Sequence, residues 1–260
     1  LAVRNQFFTP RYVVEFLTDN TLGRIWYEMR QGETELKESC RYLVRRPNEV
    51  WLQHGEEPPA EVVADEALSQ EELLRQPVHI PYRPLKDPRE IRMLDPACGS
   101  MHFGLYAFDL YLAIYEEAWE IALGSDGQAK QGEAFAAFVA YAAGFTGKAA
   151  FLREVPRLIL LHNIHGVDID PRATQIARLT LWLRAQRAWQ KQRVEVAARP
   201  AISRSNVVCA EPMPGERELL SDFVDQQFPE AERGLVQQLL ETIFDKMQLA
   251  GEAGSLLKIE

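Results

Sequence analysis

The stretch "IRMLDPACGSMHFG", residues 91–104, constrains the fold more than any other part of the sequence. The apolar run Ile91–Leu94 predicts a short buried strand, and the small residues after it predict a tight turn. The apolar segment "HFGLYAFDLYLAIYEEAWEIA" then predicts a long helix. At such a turn Gly99 lets the backbone come close to a ligand, and the following helix offers free N–H groups.

The same alternation continues along the chain. "NIHGVDID" predicts a second strand that ends in acids, and "SNVVCAEP" predicts a third strand. Between them "PRATQIARLTLWLRAQRAWQKQRVEV" predicts a helix, with Asp170 as its N-cap and Pro171 at its first position. The order strand, helix, strand, helix, strand favours an α/β fold, in which helices pack on a parallel sheet.

The segments around this pattern are mostly helical by sequence. Residues 5–30 predict a capped amphipathic helix, in which Thr9 caps the N-terminus and Pro10 takes the first position. Residues 31–90 are rich in acids and prolines and predict an insertion of short helices and loops. Residues 216–250 predict one acidic amphipathic helix.

Composition excludes several classes of protein. A net charge of -9 argues against a broad basic surface for nucleic acid, so any DNA contact should lie mostly elsewhere. No window approaches the roughly 18 apolar residues of a membrane span. The three cysteines are odd in number and widely spaced, which fits reduced thiols in the cytoplasm. The five histidines form no ligand cluster, so we expect no metal.

The strand ends predict the functional site, because ligands of such sheets bind beyond the carboxyl ends of the strands. Asp168 has the position of an acid that accepts hydrogen bonds from ribose hydroxyls, whereas a structural role would be to cap the next helix. We expect the ligand role for Asp168 and the capping role for Asp170. The 73 residues from Asp95 to Asp168 far exceed the roughly 20 of a dinucleotide fingerprint, which argues against an ordinary NAD enzyme.

Three motifs in this order carry a family resemblance. "QFFTPRYVVEFL", "LDPACGS" and "GVDIDP" resemble the amino-terminal half of gamma-class N6-adenine DNA methyltransferases. The likeness is to large single-chain, type IIG restriction–modification enzymes and to BREX-type phage-defence methyltransferases. It covers residues 5–30 and 91–212. The resemblance implies a Rossmann-like methyltransferase sheet, here incomplete, with S-adenosylmethionine as cofactor.

The resemblance also implies which residues would hold the methionine end of S-adenosylmethionine. Phe8, Thr9 and Pro10 would close over that end, near the N–H groups of a helix N-terminus. The turn would wrap the same part of the cofactor, and its residues are Asp95, Pro96, Ala97, Cys98, Gly99 and Ser100. Asp95 would lie near the cofactor's ammonium group.

A second set of residues would hold the nucleoside end. Asp168 would bind the ribose hydroxyls, and Ile169 would pack on the adenine ring. Glu211 would accept a hydrogen bond from the adenine amino group, and Pro212 would flank the ring.

Met101 departs from the family pattern DPACGSG, which has glycine at that position. If the position needs a positive φ, a methionine imposes strain of about 1 kcal/mol or more, and it could crowd the cofactor. Alternatively, the turn is shifted and Met101 packs against the sheet. The sequence leaves both hypotheses open.

The catalytic motif of the resembled family is missing. No Asn/Asp-Pro-Pro-Tyr/Phe sequence occurs, and the one Pro-Pro pair, Pro58–Pro59, lies in "GEEPPAEV". In the family that motif holds the amino group of a flipped-out base. We therefore expect a cofactor-binding fragment that methylates nothing alone, with double-stranded DNA contacted through absent domains and with possible defence subunits as partners.

The predicted domain organisation has four parts. They are a cofactor-capping helix at 1–30, an insertion at 31–90, a cofactor-binding core at 91–215 and a helical segment at 216–260 that leads to the missing catalytic half. Two other functions stay open: a non-catalytic module for cofactor binding or interaction, and an RNA or protein methyltransferase. The "FFTP" element favours a DNA enzyme over the latter.

Overall fold

The computed structural model of the chain describes residues 9–59, 75–124, 133–210 and 217–247. It contains two compact units, Leu1–Cys209 and Ala210–Glu260. Three residues predicted for the site, Phe8, Glu211 and Pro212, lie outside the described residues.

The first element among the described residues is a helical stretch, which is interrupted once. Helix α1 spans Arg11–Thr18, a π-helical turn spans Asp19–Gly23, and α2 spans Arg24–Met29. The predicted cap at Thr9 is wrong, because Pro10 takes the N-cap position without a side-chain capping bond. The Pro10 carbonyl accepts hydrogen bonds from the backbone N–H groups of Val13 and Val14 at 3.0 and 3.2 Å.

The region predicted as a surface insertion contains more regular structure than its sequence indicates. Helix α3 spans Leu36–Ser39, and strands β1 (Glu49–Trp51) and β2 (Val78–Ile80) form a parallel pair. Three-residue strands carry too little periodicity to be recognised in sequence. Leu36 and Cys40 join the same buried cluster as Trp26, so part of this region packs into the core.

The strand before the glycine turn lies slightly later than predicted. Strand β3 spans Met93–Asp95, and α4 spans His102–Leu123. Ile91 is buried but precedes the strand, because its carbonyl accepts side-chain hydrogen bonds from Tyr111 at 3.0 Å and Asn163 at 2.7 Å. The long helix predicted after the turn is confirmed.

An aromatic cluster anchors the next helices. Helix α5 spans Glu133–Ala143, α6 spans Lys148–Leu158, and a π-helical turn follows at Ile159–Asn163. Trp119 stacks on Phe151, with 4.8 Å between ring centroids. Such aromatic contacts add to the burial of the rings, so these helices are firmly attached to α4.

Two further strands complete a parallel sheet. Strand β4 spans Ile164–Asp168, α7 spans Pro171–Lys191 and β5 spans Asn206–Cys209. The order is β3-β4-β5, and all pairs are parallel. The predicted mixed α/β fold and the predicted alternation of strands and helices are therefore confirmed.

The two faces of this sheet differ. Ile164, Gly166 and Val207 are buried on the face towards α4. Leu94 and Val208 point the other way and are 63% and 50% exposed. Parallel sheets normally have both faces covered, whereas the described residues of the first unit leave Leu94 and Val208 on this face exposed.

The described part of the second unit has a short 3-10 helix, Arg217–Leu219, followed by two α-helices. Helix α8 spans Leu220–Gln227 and α9 spans Glu230–Met247. The single helix predicted over 216–250 is thus broken, because the chain is non-helical at Phe228 and Pro229. Proline disfavours the α conformation of the residue before it, which accounts for the break.

No single helix among the described residues is long and apolar enough to cross a membrane. The helical segments Glu133–Ala143 and Lys148–Asn163 reach that length and composition only together, and they are bent by 116°.

Candidate functional site

The turn after β3 is fastened to the end of β4 by backbone hydrogen bonds. The Cys98 N–H donates to the Val167 carbonyl at 2.9 Å, and the Gly99 N–H donates to Asp168 Oδ2 at 2.8 Å. The turn is also closed internally, since the Met101 N–H donates to the Cys98 carbonyl at 2.7 Å. The ends of β3 and β4 therefore form one continuous surface.

Asp168 organises this surface with both carboxylate oxygens. Its Oδ2 accepts from Gly99, and its Oδ1 accepts from the Asp170 N–H at 2.9 Å. A carboxylate has about four acceptor positions, so each oxygen can accept a further bond from a ligand. The sequence predicted a ligand contact for Asp168 but not its hydrogen bond to the Gly99 N–H, which holds the turn and which we call the Asp168 clamp.

Asp170 has the structural role that the sequence predicts. Its side chain accepts a hydrogen bond from the Arg172 N–H at 2.8 Å and caps α7, with Pro171 at the first position. This bond holds the pKa of Asp170 below its ordinary value.

A second carboxylate lies close to the clamp. Asp95 accepts a hydrogen bond from the Ala97 N–H at 3.3 Å. Burial raises the pKa of Asp95, and the charge of Asp168 adds to that rise. Burial, together with the same two acids, raises the pKa of the Cys98 thiol to about 11. The site is therefore electronegative and suits a ligand that carries positive charge and hydroxyl donors.

The outer side of the turn is open. Gly99 has a φ of +49°, and a Cβ added there would meet no atom within 4 Å. Pro96 and Ala97 are exposed, and Ser100 is half-buried. Ile169 is 71% exposed, which leaves its apolar side chain free to pack on a ligand.

Met101 turns its side chain away from this open side. Its backbone is left-handed, with φ 73° and ψ 36°, and its side chain is fully buried. The side chain fills a hollow left by two glycines. A Cβ added at Gly104 would lie 2.7 Å from Met101 Cε, and one added at Gly166 would lie 3.1 Å from it. The positive φ and the packing against the sheet, proposed separately from sequence, thus occur together.

Two cavities flank the turn. One of about 350 Å³ is lined by Thr9, Arg11 and Glu15 from the start of the first helix and by His102 and Tyr106 from α4. It brings Thr9 and the adjoining Pro10 to the first turn of α4. The other, of about 430 Å³, is mainly apolar and borders β3 at Asp95 and Pro96.

Two residues at the site carry no signal in the sequence. Cys209 lies opposite Asp168 in the β4–β5 register and is exposed, with its Sγ 3.7 Å from the Ile169 carbonyl. Thr180 in α7 donates its hydroxyl to the Ser100 carbonyl at 3.2 Å. Only the strand register and the packing of α7 bring them there. Within the described part of the chain, no group of three or more His, Cys, Asp or Glu residues could hold a metal ion.

Comparison with known proteins finds named relatives of this chain. Over 189 residues the chain is 29% identical to the adenine-specific methyltransferase BrxX of Escherichia coli O9:H4 (strain HS), a match that covers 72% of this chain and 11% of that protein. The chain is similar to adenine-specific methyltransferases. No family model matches it.

Two other relatives carry related names. The adenine-specific methyltransferase PglX of Lacticaseibacillus casei (strain Zhang) is 24% identical over 182 residues, which cover 70% of this chain and 11% of PglX. A putative type II restriction enzyme and methyltransferase of Methanocaldococcus jannaschii, RM.MjaORFECS2P, is 30% identical over 125 residues, which cover 46% of this chain and 8% of that protein. The matched region is thus about a tenth of each relative's length.

These similarities confirm the predicted likeness to adenine-specific methyltransferases and to a restriction enzyme and methyltransferase. They leave the roles of single residues as predictions.

Proposed function

We propose that this chain is the S-adenosylmethionine-binding part of a gamma-class DNA methyltransferase, which methylates the N6 of adenine in restriction–modification or phage defence. The observation that carries the proposal is the clamp from Asp168 to the Gly99 turn. It supports one site shared by two neighbouring strand ends, where ligands of parallel sheets bind. The similarity to adenine-specific methyltransferases supplies the reaction class.

The residues present fit this cofactor. The open side of Gly99 gives room for it, and Asp95 and Asp168 offer negative charge to its ammonium and sulfonium groups. The free acceptor positions of Asp168 would bind the ribose hydroxyls, and Ile169 would cover the adenine ring. When bound, S-adenosylmethionine supplies a methyl group for direct displacement by an amino nitrogen.

The methionine end of the cofactor would be held by the turn and the start of α1. Thr9, Pro10 and Phe8 would close over it, and the turn from Asp95 through Ser100 would wrap it. Glu211 and Pro212 would complete the adenine pocket beyond β5. What these residues contribute to catalysis is position, since alignment of two reactants accounts for much of the rate of a displacement.

We further propose that the catalytic half and the DNA-binding surface belong to other parts of a longer polypeptide. The sequence has no Asn/Asp-Pro-Pro-Tyr/Phe motif, and the matched region is 11% of BrxX. The exposed Leu94 and Val208 also mark a sheet face that further helices would cover. Other defence subunits and double-stranded DNA would be partners of that longer protein in the cytoplasm.

Calorimetric titration of the chain with S-adenosylmethionine tests the proposal. Asp168→Ala should weaken binding by roughly 100-fold or more, because it removes the clamp together with two charge-assisted ligand bonds. Asp170→Ala is the matched control, since it removes a helix cap two residues away and should leave the dissociation constant within about threefold.

Two results would refute the proposed site. One is the absence of S-adenosylmethionine binding by the folded wild-type chain. The other is equal binding by the wild-type and Asp168→Ala chains, which would place the cofactor elsewhere.

A further inference from the structure

The outer face of α7 carries an apolar stripe that the described residues of the first unit leave exposed. The buried face of the helix contains Thr174, Ala177, Leu181, Ala185 and Ala188, and Trp189 is buried beside that face. On the opposite side four large apolar side chains are between 45% and 55% exposed, and they are Ile176, Leu179, Trp182 and Leu183. Their spacings of three, four and seven residues place them along one side of a helix. We call these four residues the outer stripe.

Trp182 and Trp189 show why the stripe is exposed. They are seven residues apart and lie on nearly the same side of the helix. Trp189 is fully buried, and its Nε1 donates to the Arg153 carbonyl of α6 at 2.7 Å. Trp182 stays 45% exposed. Two tryptophans with equivalent helical positions thus differ because α6 packs on only one end of α7.

The charge of α7 is of one sign. Its 21 residues include four arginines and one lysine but no aspartate or glutamate, in a chain of net charge -9. Arg178 donates to the Val207 carbonyl, and Arg184 pairs with Asp109, so both serve the fold. Arg172 and Arg187 lie on the side of the stripe, at its two ends, by helical geometry. Arg172 also lies 3.6 Å from Asp170 Oδ1, in an exposed ion pair.

We propose that the outer stripe is a docking surface for an acidic amphipathic helix of a protein partner. The partner's apolar side chains, at spacings of three or four residues, would cover the four residues of the stripe. Its carboxylates would lie against Arg172 and Arg187. The 21 residues of α7 span about 30 Å, enough for four or more turns of a partner helix.

Charge and chemistry favour this occupant over two others. A second copy of α7 would bring cationic faces together, which is unfavourable without intervening anions. Nucleic-acid interfaces are polar and strongly positive, whereas the centre of this surface is four large apolar side chains. An apolar centre with a charged rim is typical of protein–protein interfaces.

Two synthetic 21-residue peptides test the proposal by calorimetry with the whole chain. One has leucine at positions i, i+3, i+4 and i+7 with glutamate at most others, and the second has the same composition in scrambled order. We expect the patterned peptide to bind with a dissociation constant of about 1–100 μM and the scrambled one at least tenfold more weakly. Binding should weaken with added salt, because the rim contacts are ionic.

Variants locate the contact. Leu183→Glu, and the milder Leu179→Ser, should each weaken binding of the patterned peptide by about tenfold or more. Arg187→Gln should weaken it by roughly threefold to tenfold. Val196→Ser is the control, because Val196 is also highly exposed but lies outside α7.

Three outcomes would overturn the proposal: no binding of the patterned peptide, equal binding by the Leu183→Glu chain, or tighter binding of duplex DNA or anionic vesicles that depends on the stripe. Titration of the same variants with S-adenosylmethionine keeps the two proposals separate. Each folded stripe variant should bind the cofactor as the wild type does, since the stripe lies outside the turn and the Asp168 clamp.

Discussion

At the scale of single residues, Met101 balances a strained backbone against a buried side chain. A left-handed φ costs a residue with a Cβ about 1–2 kcal/mol. Full burial of a methionine side chain contributes about 1.5–3 kcal/mol. The hollow between Gly104 and Gly166 makes that burial possible. The side chain therefore more than offsets the strain of its own backbone, and the turn keeps its open side for a ligand.

Met101→Gly should consequently destabilise the chain. The relief of strain is about 1 kcal/mol, whereas truncation of a buried methionine costs about 2–5 kcal/mol through lost contacts and a cavity. We expect a net loss of about 1–4 kcal/mol in the free energy of unfolding, measured by urea denaturation. An unchanged or higher urea midpoint would show that the turn does not depend on the methionine side chain.

The effect of Gly104→Ala on the free energy of unfolding should change sign with the residue at position 101. In the wild-type chain the new Cβ would lie 2.7 Å from Met101 Cε, so it should destabilise the fold. In the Met101→Gly chain the same Cβ loses its contacts with Met101 and keeps one with Ile164 Cγ2 at 3.1 Å, so the gain of about 1 kcal/mol from replacing a helical glycine should dominate. A double-mutant cycle by urea denaturation measures this coupling, and additive effects would contradict the packing described.

At the scale of elements, the first helical stretch is held by a buried acid. Asp19 is fully buried in the π-helical turn and accepts hydrogen bonds from the Tyr42 N–H at 2.9 Å and the Tyr106 hydroxyl at 2.7 Å. Tyr106 belongs to α4, so Asp19 joins the stretch 11–29 to the helix that follows the glycine turn. Burial, reinforced by Asp19, raises the pKa of Tyr106 and keeps its hydroxyl protonated as a donor.

Asp19→Ala should therefore cost about 2–4 kcal/mol in unfolding free energy, because it leaves two half-buried donors without an acceptor. Asp19→Asn keeps an acceptor oxygen and should cost markedly less, which makes it the matched control. Both values come from urea denaturation. Equal losses for the two variants would mean that the charge of Asp19, rather than its hydrogen bonds, holds the stretch.

The elements that sequence predicts well are those with local signals. The turn at residues 95–100, the long apolar helix after it, and the Asp170–Pro171 start of α7 are each specified by residues within a few positions. The pair β1–β2, the break at Pro229 and the later start of α1 lack a strong periodic signal. The Asp168 clamp on Gly99 joins residues 69 positions apart, and that contact follows from the β3–β4 register rather than from a local pattern.

At the scale of the whole molecule, three parallel strands bring their carboxyl ends to one edge. Asp95, Asp168 and Cys209 end β3, β4 and β5, and the register pairs Asp168 with Cys209. This convergence is a property of the topology, because right-handed strand–helix–strand connections place successive strands side by side with the same direction. A cofactor held at β3 and β4 should therefore also cover the end of β5.

Cysteine alkylation tests that consequence, because the three thiols differ in exposure. Cys209 is exposed, whereas Cys40 and Cys98 are buried. Burial raises the pKa of the Cys98 thiol to about 11 and that of Cys40 further, so at pH 8 both remain protonated and weakly nucleophilic. Iodoacetamide at pH 8 should modify Cys209 first, as read by peptide mass spectrometry, and all three thiols should react after unfolding.

Saturating S-adenosylmethionine should slow alkylation of Cys209 by about fivefold or more and leave alkylation in the Asp168→Ala chain unaffected, since a bound ligand blocks access only where it lies. Unchanged alkylation of Cys209 in a chain that calorimetry shows to be saturated would mean that the cofactor does not reach the third strand.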